Sequence, residues 1–186
     1  SKPGYGNCVY RALLEGSIHN DTEFVALCEG DRTFRSSDLE KLFAYIPHAD
    51  VVNGTRIVEQ LREKETQLTT FMFWANLVGG KILEFKHLGK ATLTDLGTTY
   101  KLMRTSFLRA NLQHYDPNVN LEFNAHFLDV TLGRGFKIVE VPITFHQRLG
   151  TSKGGNTSNL RAAHVGFRML SGILFSWGLL SSRVKK

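Results

Sequence analysis

The chain has 186 residues, of which 42% are hydrophobic and 11% are aromatic. This length and composition suit one domain with a sizeable core and exclude a disordered or low-complexity protein. A formal net charge of +6 indicates an anionic partner, but charge alone leaves a nucleotide, a lipid phosphate, an anionic membrane and nucleic acid all open.

The first part of the chain predicts helices that alternate with short strands. Helices are predicted at residues 7–16, after the turn KPGYG, and over SSDLEKLFAYI, and strands at residues 23–28 and 50–53. We expect Ser36 or Ser37 to cap the second helix, with Glu40 completing the capping pattern. Cys28 lies in the apolar run of the first strand, so we expect a buried free thiol. Strand, turn, helix and strand in this order are typical of a parallel α/β sheet.

Longer elements are predicted in the rest of the chain. They are a helical region at residues 57–85, an extended polar segment at residues 91–103, a helix at about 121–132, a strand over KIVEVPITF and a last helix from about 159 to 180. The first residues, SKPGYGNCVYR, lack the apolar core of a signal peptide and begin on a glycine-rich turn. We interpret this start as a cut through a domain.

Two acidic residues directly follow the first predicted strand. Glu29 and Asp31, separated by Gly30, lie at the carboxyl end of FVALC, and ligands of open α/β sheets bind at that edge. Two carboxylates at this spacing can turn toward one site and share Mg²⁺ or Mn²⁺, which would neutralise a diphosphate. An ordinary acidic turn is the alternative.

Two further segments contain candidate anion ligands. RLGTSK, from Arg148 to Lys153, combines a guanidinium fork, a point charge and the hydroxyl of Ser152, which suits phosphate, although a solvated basic loop has the same composition. Gly4 and Gly6 precede a helix whose first amides could face an anion, and a plain turn is the alternative.

Charged residues also occur at and after the next strand. Arg56 ends DVVNGTR and is expected at the same rim as the acidic pair, or else as a surface arginine. Asp95 lies near Lys101 and Arg104 in TDLGTTYKLMR, a pattern typical of a surface ion-pair cluster. Should the acceptor be a hydroxyl group, Asp95 is the candidate base.

Taken in order, these segments resemble glycosyltransferase family 2, and most closely its dolichyl-phosphate mannose synthases and polyprenyl-phosphate hexosyltransferases. The resemblance runs through KPGYGNCVYRALLEG, FVALCEGDRTF, ADVVNGTR, TDLGTTYKLMR and GFKIVEVPITFHQRLGTSK. It implies a Rossmann-like GT-A fold over residues 1–157, without its N-terminal strands, followed by an amphipathic helix at residues 158–186. The implied activity is inverting transfer of a hexose from a nucleotide-sugar, a UDP- or GDP-hexose, to a polyprenyl phosphate with Mg²⁺ or Mn²⁺.

The resemblance also implies a role for each candidate residue. The implied roles are catalytic for Asp31 and Asp95, metal-binding for Glu29 and Asp31, phosphate- or acceptor-binding for Arg56, Arg148, Ser152 and Lys153, and donor-binding for Gly4 and Gly6. Two positions depart from the family pattern. Glu29 replaces an Asp and reaches further, which could change the metal preference, and Thr151 replaces a Glu and cannot act as a carboxylate.

The C-terminal helix indicates a lipid context. Its dense apolar part is shorter than the ~20 residues that span a bilayer, which fits an interfacial helix with Arg183, Lys185 and Lys186 at anionic headgroups. A core-packing helix or a truncated span are the alternatives. Residues 71–74 could face the membrane or an acceptor chain, or belong to the core. We therefore expect a protein at the cytoplasmic face of a membrane with no nucleic-acid partner.

Two other functions remain open on the sequence. A family 2 transferase could act on a glycan or another soluble acceptor. A non-catalytic basic module that binds membrane or nucleic acid would explain the charge of +6. It would not explain the acidic pair at a strand end.

Overall fold

The computed structural model describes residues 4–150 and 159–178, without the side chains of Asn159 and Arg161. In this part of the chain a four-stranded sheet has the order β1-β3-β2-β4. The strands are β1 (Phe24–Leu27), β2 (Val51–Thr55), β3 (Lys101–Arg104) and β4 (Ile138–Pro142). β2 and β4 pair in parallel, whereas β3 lies between β1 and β2 and is antiparallel to both.

The predicted α/β class is confirmed, and the predicted parallel sheet is confirmed only in part: β2 and β4 pair in parallel, whereas β3 makes the sheet mixed. The stretch between the third helix and β3 runs back to the carboxyl ends of β1 and β2, where Asp95 contacts Arg56. β3 therefore starts at that edge and runs against its neighbours. Its first residue, Lys101, pairs with Leu27 at the end of β1 and with Asn53 in β2.

The helices are α1 (Tyr5–Ile18), α2 (Asp38–Tyr45), α3 (Thr70–Lys86), α4 (Thr105–Asn111), α5 (Phe123–Gly133) and α6 (Asn159–Leu174). The helix predicted from residue 57 begins only at Thr70, because the Thr69 hydroxyl caps it by accepting the Met72 N–H at 3.2 Å. The short helix α4 was not predicted. α6 ends at Leu174, earlier than the predicted residue 180.

Two local predictions fail. Ser37 occupies the N-cap position of α2 with helical backbone angles and makes no side-chain cap, so the predicted capping pattern does not form. Cys28 is exposed, not buried. It lies beyond the last residue of β1, where the chain has already left the sheet.

Side chains alternate across the sheet, as the two-residue repeat of a strand requires. Val51 and Met103 face one apolar cluster, which is built with residues of α1, α4, α5 and α6. Val52 and Leu102 face a second cluster on the opposite side of the sheet, built with residues of α2. The sheet is therefore covered on both faces, and the carboxyl ends of β1, β2 and β4 are left to form a site.

The C-terminal helix α6 packs into the core along one face. Met169 and Ile173 are buried on that face, and Trp177, three residues after the end of the helix, is buried as well. Asp129 of α5 fixes the helix, since it accepts the Trp177 Nε1–H at 2.6 Å and pairs with Lys86 Nζ at 2.8 Å. Within residues 4–150 and 159–178, none of the helices is long and apolar enough to cross a membrane.

Candidate functional site

A cleft of about 970 Å³ opens at the carboxyl ends of β1 and β2. One part of its wall is charged and comes from the loops that follow the strands. The charged residues of this part are Glu29, Asp31, Arg56 and Arg148, and Glu122, next to α5, also lines the cleft. The other part is mainly apolar and comes from α3, α5, α6 and the segments before α3 and α5. Its apolar lining residues include Leu68, Phe71, Met72, Ala75, Leu121, Ala125, Val165 and Met169.

The structure brings the two predicted acidic residues together around one arginine. Arg148 Nη2 lies 2.9 Å from Glu29 Oε2, and Arg148 Nε lies 2.6 Å from Asp31 Oδ2. The Leu149 N–H also donates to the Asp31 carbonyl at 3.2 Å, which holds this loop against the loop after β1. The guanidinium therefore lies between the two carboxylates and neutralises part of their charge.

Asp31 is held as an anion by its own loop. Burial raises the pKa of Asp31, but hydrogen bonds from the Thr33 hydroxyl at 2.6 Å and the Thr33 N–H at 3.1 Å, together with the Arg148 charge, outweigh burial. The net effect is a pKa below the usual value of an aspartate. Asp31 is therefore ionised at neutral pH and can act as a ligand for a cation.

Arg56 forms the second charged pair of the site. Its Nε and Nη2 each lie 2.7 Å from an oxygen of Asp95, and its backbone N–H donates to Asp95 Oδ2 at 3.1 Å. The guanidinium also lies over the Phe145 ring at 5.0 Å. Such bidentate contact fixes the plane of the guanidinium, so Arg56 lines the cleft in one orientation.

Asp95 lies behind Arg56 and is buried. Asp95 Oδ1, which contacts Arg56 Nη2, also accepts the Gly97 N–H at 3.0 Å. Burial raises the pKa of Asp95, but the Arg56 charge and these hydrogen bonds lower it below the usual value. A carboxylate so stabilised is a weak base, and the geometry gives Asp95 the task of holding Arg56. Its use as a catalytic base stays a prediction.

The surface ion-pair cluster predicted for Asp95 does not form. Lys101 is buried and its Nζ contacts the Thr98 carbonyl. Arg104 donates from Nη2 to the Ile46 carbonyl at 3.1 Å. Neither side chain makes an ion pair with Asp95, whose carboxylate pairs with Arg56 instead.

Sequence reasoning missed Glu140, which holds the backbone beside Asp95 and so supports the pair of Arg56 and Asp95. Glu140 lies on β4 and accepts the N–H groups of Thr94 at 2.7 Å and Asp95 at 3.1 Å, as well as Asn53 Nδ2 at 3.1 Å. Burial raises the pKa of Glu140 to about 7. A single acidic residue within the apolar run KIVEVPITF was the available signal, because a buried strand seldom carries a carboxylate without a partner.

The two glycines predicted to bind the donor lie in different surroundings. Gly4 lines the cleft. Gly6 is buried, and a Cβ there would lie 1.9 Å from the Val119 carbonyl oxygen, so close packing requires this glycine. The N–H of Tyr5 already donates to Asn120 Oδ1 at 2.7 Å. Donor binding by Gly4 and Gly6 stays a prediction.

The remaining predicted residues lie outside the described part of the chain. These are Ser152 and Lys153 of the basic loop, with Thr151 beside them, and Arg183, Lys185 and Lys186 at the end. Of the phosphate-binding group, Arg56 and Arg148 are therefore placed, and both line the cleft.

The predicted metal ligands fit a cation that is shared with a substrate. Among the described residues, no group of three or more His, Cys, Asp or Glu side chains lies close enough to hold a metal ion. Mg²⁺ is nevertheless commonly bound by one or two carboxylates, with substrate phosphates and water completing its shell. Glu29 and Asp31, which meet at one guanidinium, match that donor set.

Comparison with known proteins adds no family to this geometry. Neither a scan against protein-family models nor a search of curated proteins returns a match for this chain. The functional argument therefore rests on the residues of the cleft.

Proposed function

We propose that the protein is an inverting glycosyltransferase with a GT-A type fold, which moves a hexose from a nucleotide-sugar to a polyprenyl phosphate. The observation that carries this proposal is a single cleft with two kinds of wall. An acidic pair and two arginines form one wall, and apolar side chains of α3, α5 and α6 form the other. A nucleoside diphosphate suits the first wall, and a lipid chain suits the second.

The charged wall is suited to a leaving diphosphate. Glu29 and Asp31 would hold Mg²⁺ or Mn²⁺, which supplies neutralisation of the diphosphate charge when bound. Arg148 has a planar fork that matches phosphate oxygens once the carboxylates no longer engage it. The Arg148 guanidinium can therefore leave the acidic pair when a metal ion binds there and contact the phosphates of the leaving group instead.

Arg56 is suited to the phosphate of the acceptor. It is a rigid cation, because Asp95 fixes its orientation and Phe145 covers one face. An acceptor phosphate oxygen attacks the anomeric carbon, the new carbon–oxygen bond forms, and the bond to the nucleoside diphosphate breaks. The acceptor phosphate is already ionised near pH 7, so the chain needs no strong base, and alignment and electrostatics supply the rate.

An apolar face beside the cleft fits a lipid-borne acceptor. α3 exposes a stripe with helical spacing, formed by Phe71, Trp74, Val78 and Phe85. α6 packs against α3 and exposes a second stripe with seven-residue spacing, formed by Leu160, Phe167 and Leu174. We propose that these stripes lie in the headgroup region of a membrane. The buried face of α6 packs into the core and so connects the membrane-facing stripes to the rest of the domain.

The test of the proposed function is metal-dependent sugar transfer. Asp31→Asn and Glu29→Gln keep the shape of each side chain and remove its charge, so both should lower transfer of labelled hexose to a polyprenyl phosphate by roughly 10- to 100-fold or more. Asp21→Asn, at an exposed position after α1, is the matched control and should leave transfer unchanged.

The acceptor decides between the competing functions. Efficient transfer to a water-soluble sugar, with none to a polyprenyl phosphate, would favour a glycan-directed transferase. Full activity of Asp31→Asn, or full activity in excess EDTA, would refute the metal-assisted reaction. Vesicle binding without transfer to either acceptor would favour a basic membrane-binding module.

A further inference from the structure

Glu29 is contacted from behind by a hydroxyl that the proposed reaction does not use. Thr99 lies in the loop before β3 and is 2% exposed. Its Oγ1 donates to Glu29 Oε1 at 2.7 Å, on the side of the carboxylate away from Arg148. The same hydroxyl lies 2.5 Å from the Tyr5 hydroxyl and 3.3 Å from Asn124 Nδ2.

The direction of each hydrogen bond in this group follows from the donors available. An ionised Glu29 can only accept, so the single hydrogen of Thr99 Oγ1 is directed to it. Tyr5 must then donate its hydrogen to Thr99, and Asn124 Nδ2 donates to the Tyr5 oxygen at 2.9 Å. Burial raises the pKa of Tyr5, which keeps that hydrogen in place at neutral pH.

The orientation of the Asn124 side-chain amide, the first donor in this series of hydrogen bonds, is also fixed. Asn124 Nδ2 donates to the Gly97 carbonyl at 3.1 Å, and Asn124 Oδ1 faces Lys101 Nζ at 3.4 Å. The Gly97 carbonyl cannot donate, so the amide nitrogen must face it and the amide has one orientation. The hydrogen bonds therefore run one way, from Asn124 through Tyr5 and Thr99 to Glu29, and each polarises the next.

We infer that Thr99, supported by Tyr5 and Asn124, is a positioning residue that holds the Glu29 carboxylate in its cation-binding orientation. The part of this inference that concerns the cation rests on the proposed function. A glutamate has one more rotatable bond than an aspartate, so its carboxylate needs a second anchor to present the same oxygen. With Oε1 held by Thr99, Oε2 is directed to the place where Arg148 now lies.

The chain contains a matched control for this inference. Thr98 is fully buried beside Thr99, and among the described residues its Oγ1 has no hydrogen-bond partner. Thr99→Val and Thr98→Val remove the same hydroxyl and keep the same shape. Only the first removes a hydrogen bond to Glu29, and Thr99→Ser restores it.

The first readout is the affinity for Mn²⁺ in the presence of a nucleoside diphosphate, measured from the electron paramagnetic resonance signal of Mn²⁺. Loss of a residue that orients a metal ligand typically weakens metal binding by about 10- to 100-fold. We expect that loss in Thr99→Val, and near-normal binding in Thr98→Val and Thr99→Ser. Normal binding in Thr99→Val together with weak binding in Glu29→Gln would overturn the inference and leave the proposed function standing.

The second readout does not depend on metal. A double-mutant cycle of Thr99→Val with Glu29→Met, which removes the acceptor and keeps the length of the side chain, should show roughly tenfold coupling in the unfolding equilibrium constant in urea, as for a hydrogen bond to a charged group. The cycle of Thr98→Val with Glu29→Met should be additive. Coupling without any Mn²⁺ binding by the unsubstituted protein would refute the proposed function alone, and additivity in both cycles would refute the positioning role.

Discussion

Arg148 lies where a cation bound by Glu29 and Asp31 would have to lie, and this gives a prediction with an unusual sign. Removing a phosphate-binding arginine normally has no effect on metal affinity in the absence of phosphate. Here the guanidinium contacts both carboxylates, at 2.9 and 2.6 Å, so it competes with a metal ion for them. Arg148→Ala should therefore bind Mn²⁺ more tightly when no nucleotide is present.

The size of the effect follows from the exposure of the groups. The side chains of Arg148, Glu29 and Asp31 are 21%, 29% and 20% exposed, so solvent screens both contacts. Ion pairs of this kind contribute up to ~1 kcal/mol each, which gives about 1–2 kcal/mol for the two. That energy corresponds to roughly 5- to 30-fold tighter binding of Mn²⁺, with a larger gain at low salt.

The assay is a Mn²⁺ titration with and without a nucleoside diphosphate. With the diphosphate present the sign should reverse, because the variant lacks the fork that would bind the phosphates. Arg32→Ala is the control, since Arg32 is an exposed arginine of the same acidic loop and its removal changes the net charge equally. Equal Mn²⁺ affinities of Arg148→Ala and the unsubstituted protein would refute the exchange of cations.

Two further predictions concern the second ion pair and the apolar face. Asp95→Asn should destabilise the protein by about 2–4 kcal/mol, because it leaves Arg56, whose side chain is only 12% exposed, without its counter-charge. In urea unfolding, adding Arg56→Met to this variant should recover most of the loss, and a change below ~0.5 kcal/mol in Asp95→Asn would contradict the pairing. Replacing exposed Trp74 and Phe85 of α3 by Ser should weaken co-sedimentation with anionic vesicles by roughly tenfold or more. Replacing exposed Phe43 of α2 by Ser should leave vesicle binding unchanged, and an equal loss of binding in both variants would refute a specific membrane face.

The sequence could predict those parts of the site that follow strands. Glu29, Arg56 and Arg148 each come after a short apolar run, and chains leave parallel strands at one shared edge. All three line the cleft for that reason. What could not be predicted is which charges pair, since Asp95 is closer in sequence to Lys101 than to Arg56 and still pairs with Arg56.

Burial was the property least visible in the sequence. Lys101 is fully buried on β3, and its burial lowers its pKa to about 7. A lysine within a short strand ordinarily indicates an exposed position, so the sequence predicts that Lys101 belongs to the extended polar segment at residues 91–103. Cys28 shows the converse error, because an apolar run was extended by one residue past the end of its strand.

The direction of β3 explains why Thr99 was missed while Glu29 was found. In a parallel sheet the loop before a strand lies at the edge opposite to the site, so the strand pattern gives no reason to expect Thr99 near Glu29. Because β3 is antiparallel to β1 and β2, its preceding loop instead reaches the carboxyl ends of both. Thr99 meets Glu29 there, and the adjoining stretch carries Asp95 to Arg56. The reversed direction of β3 therefore brings supporting residues to both charged groups of the cleft, the acidic pair with Arg148 and the pair of Arg56 and Asp95. The hydrophobic periodicity of a sequence predicts a strand but not its direction in the sheet, so this support could not be predicted.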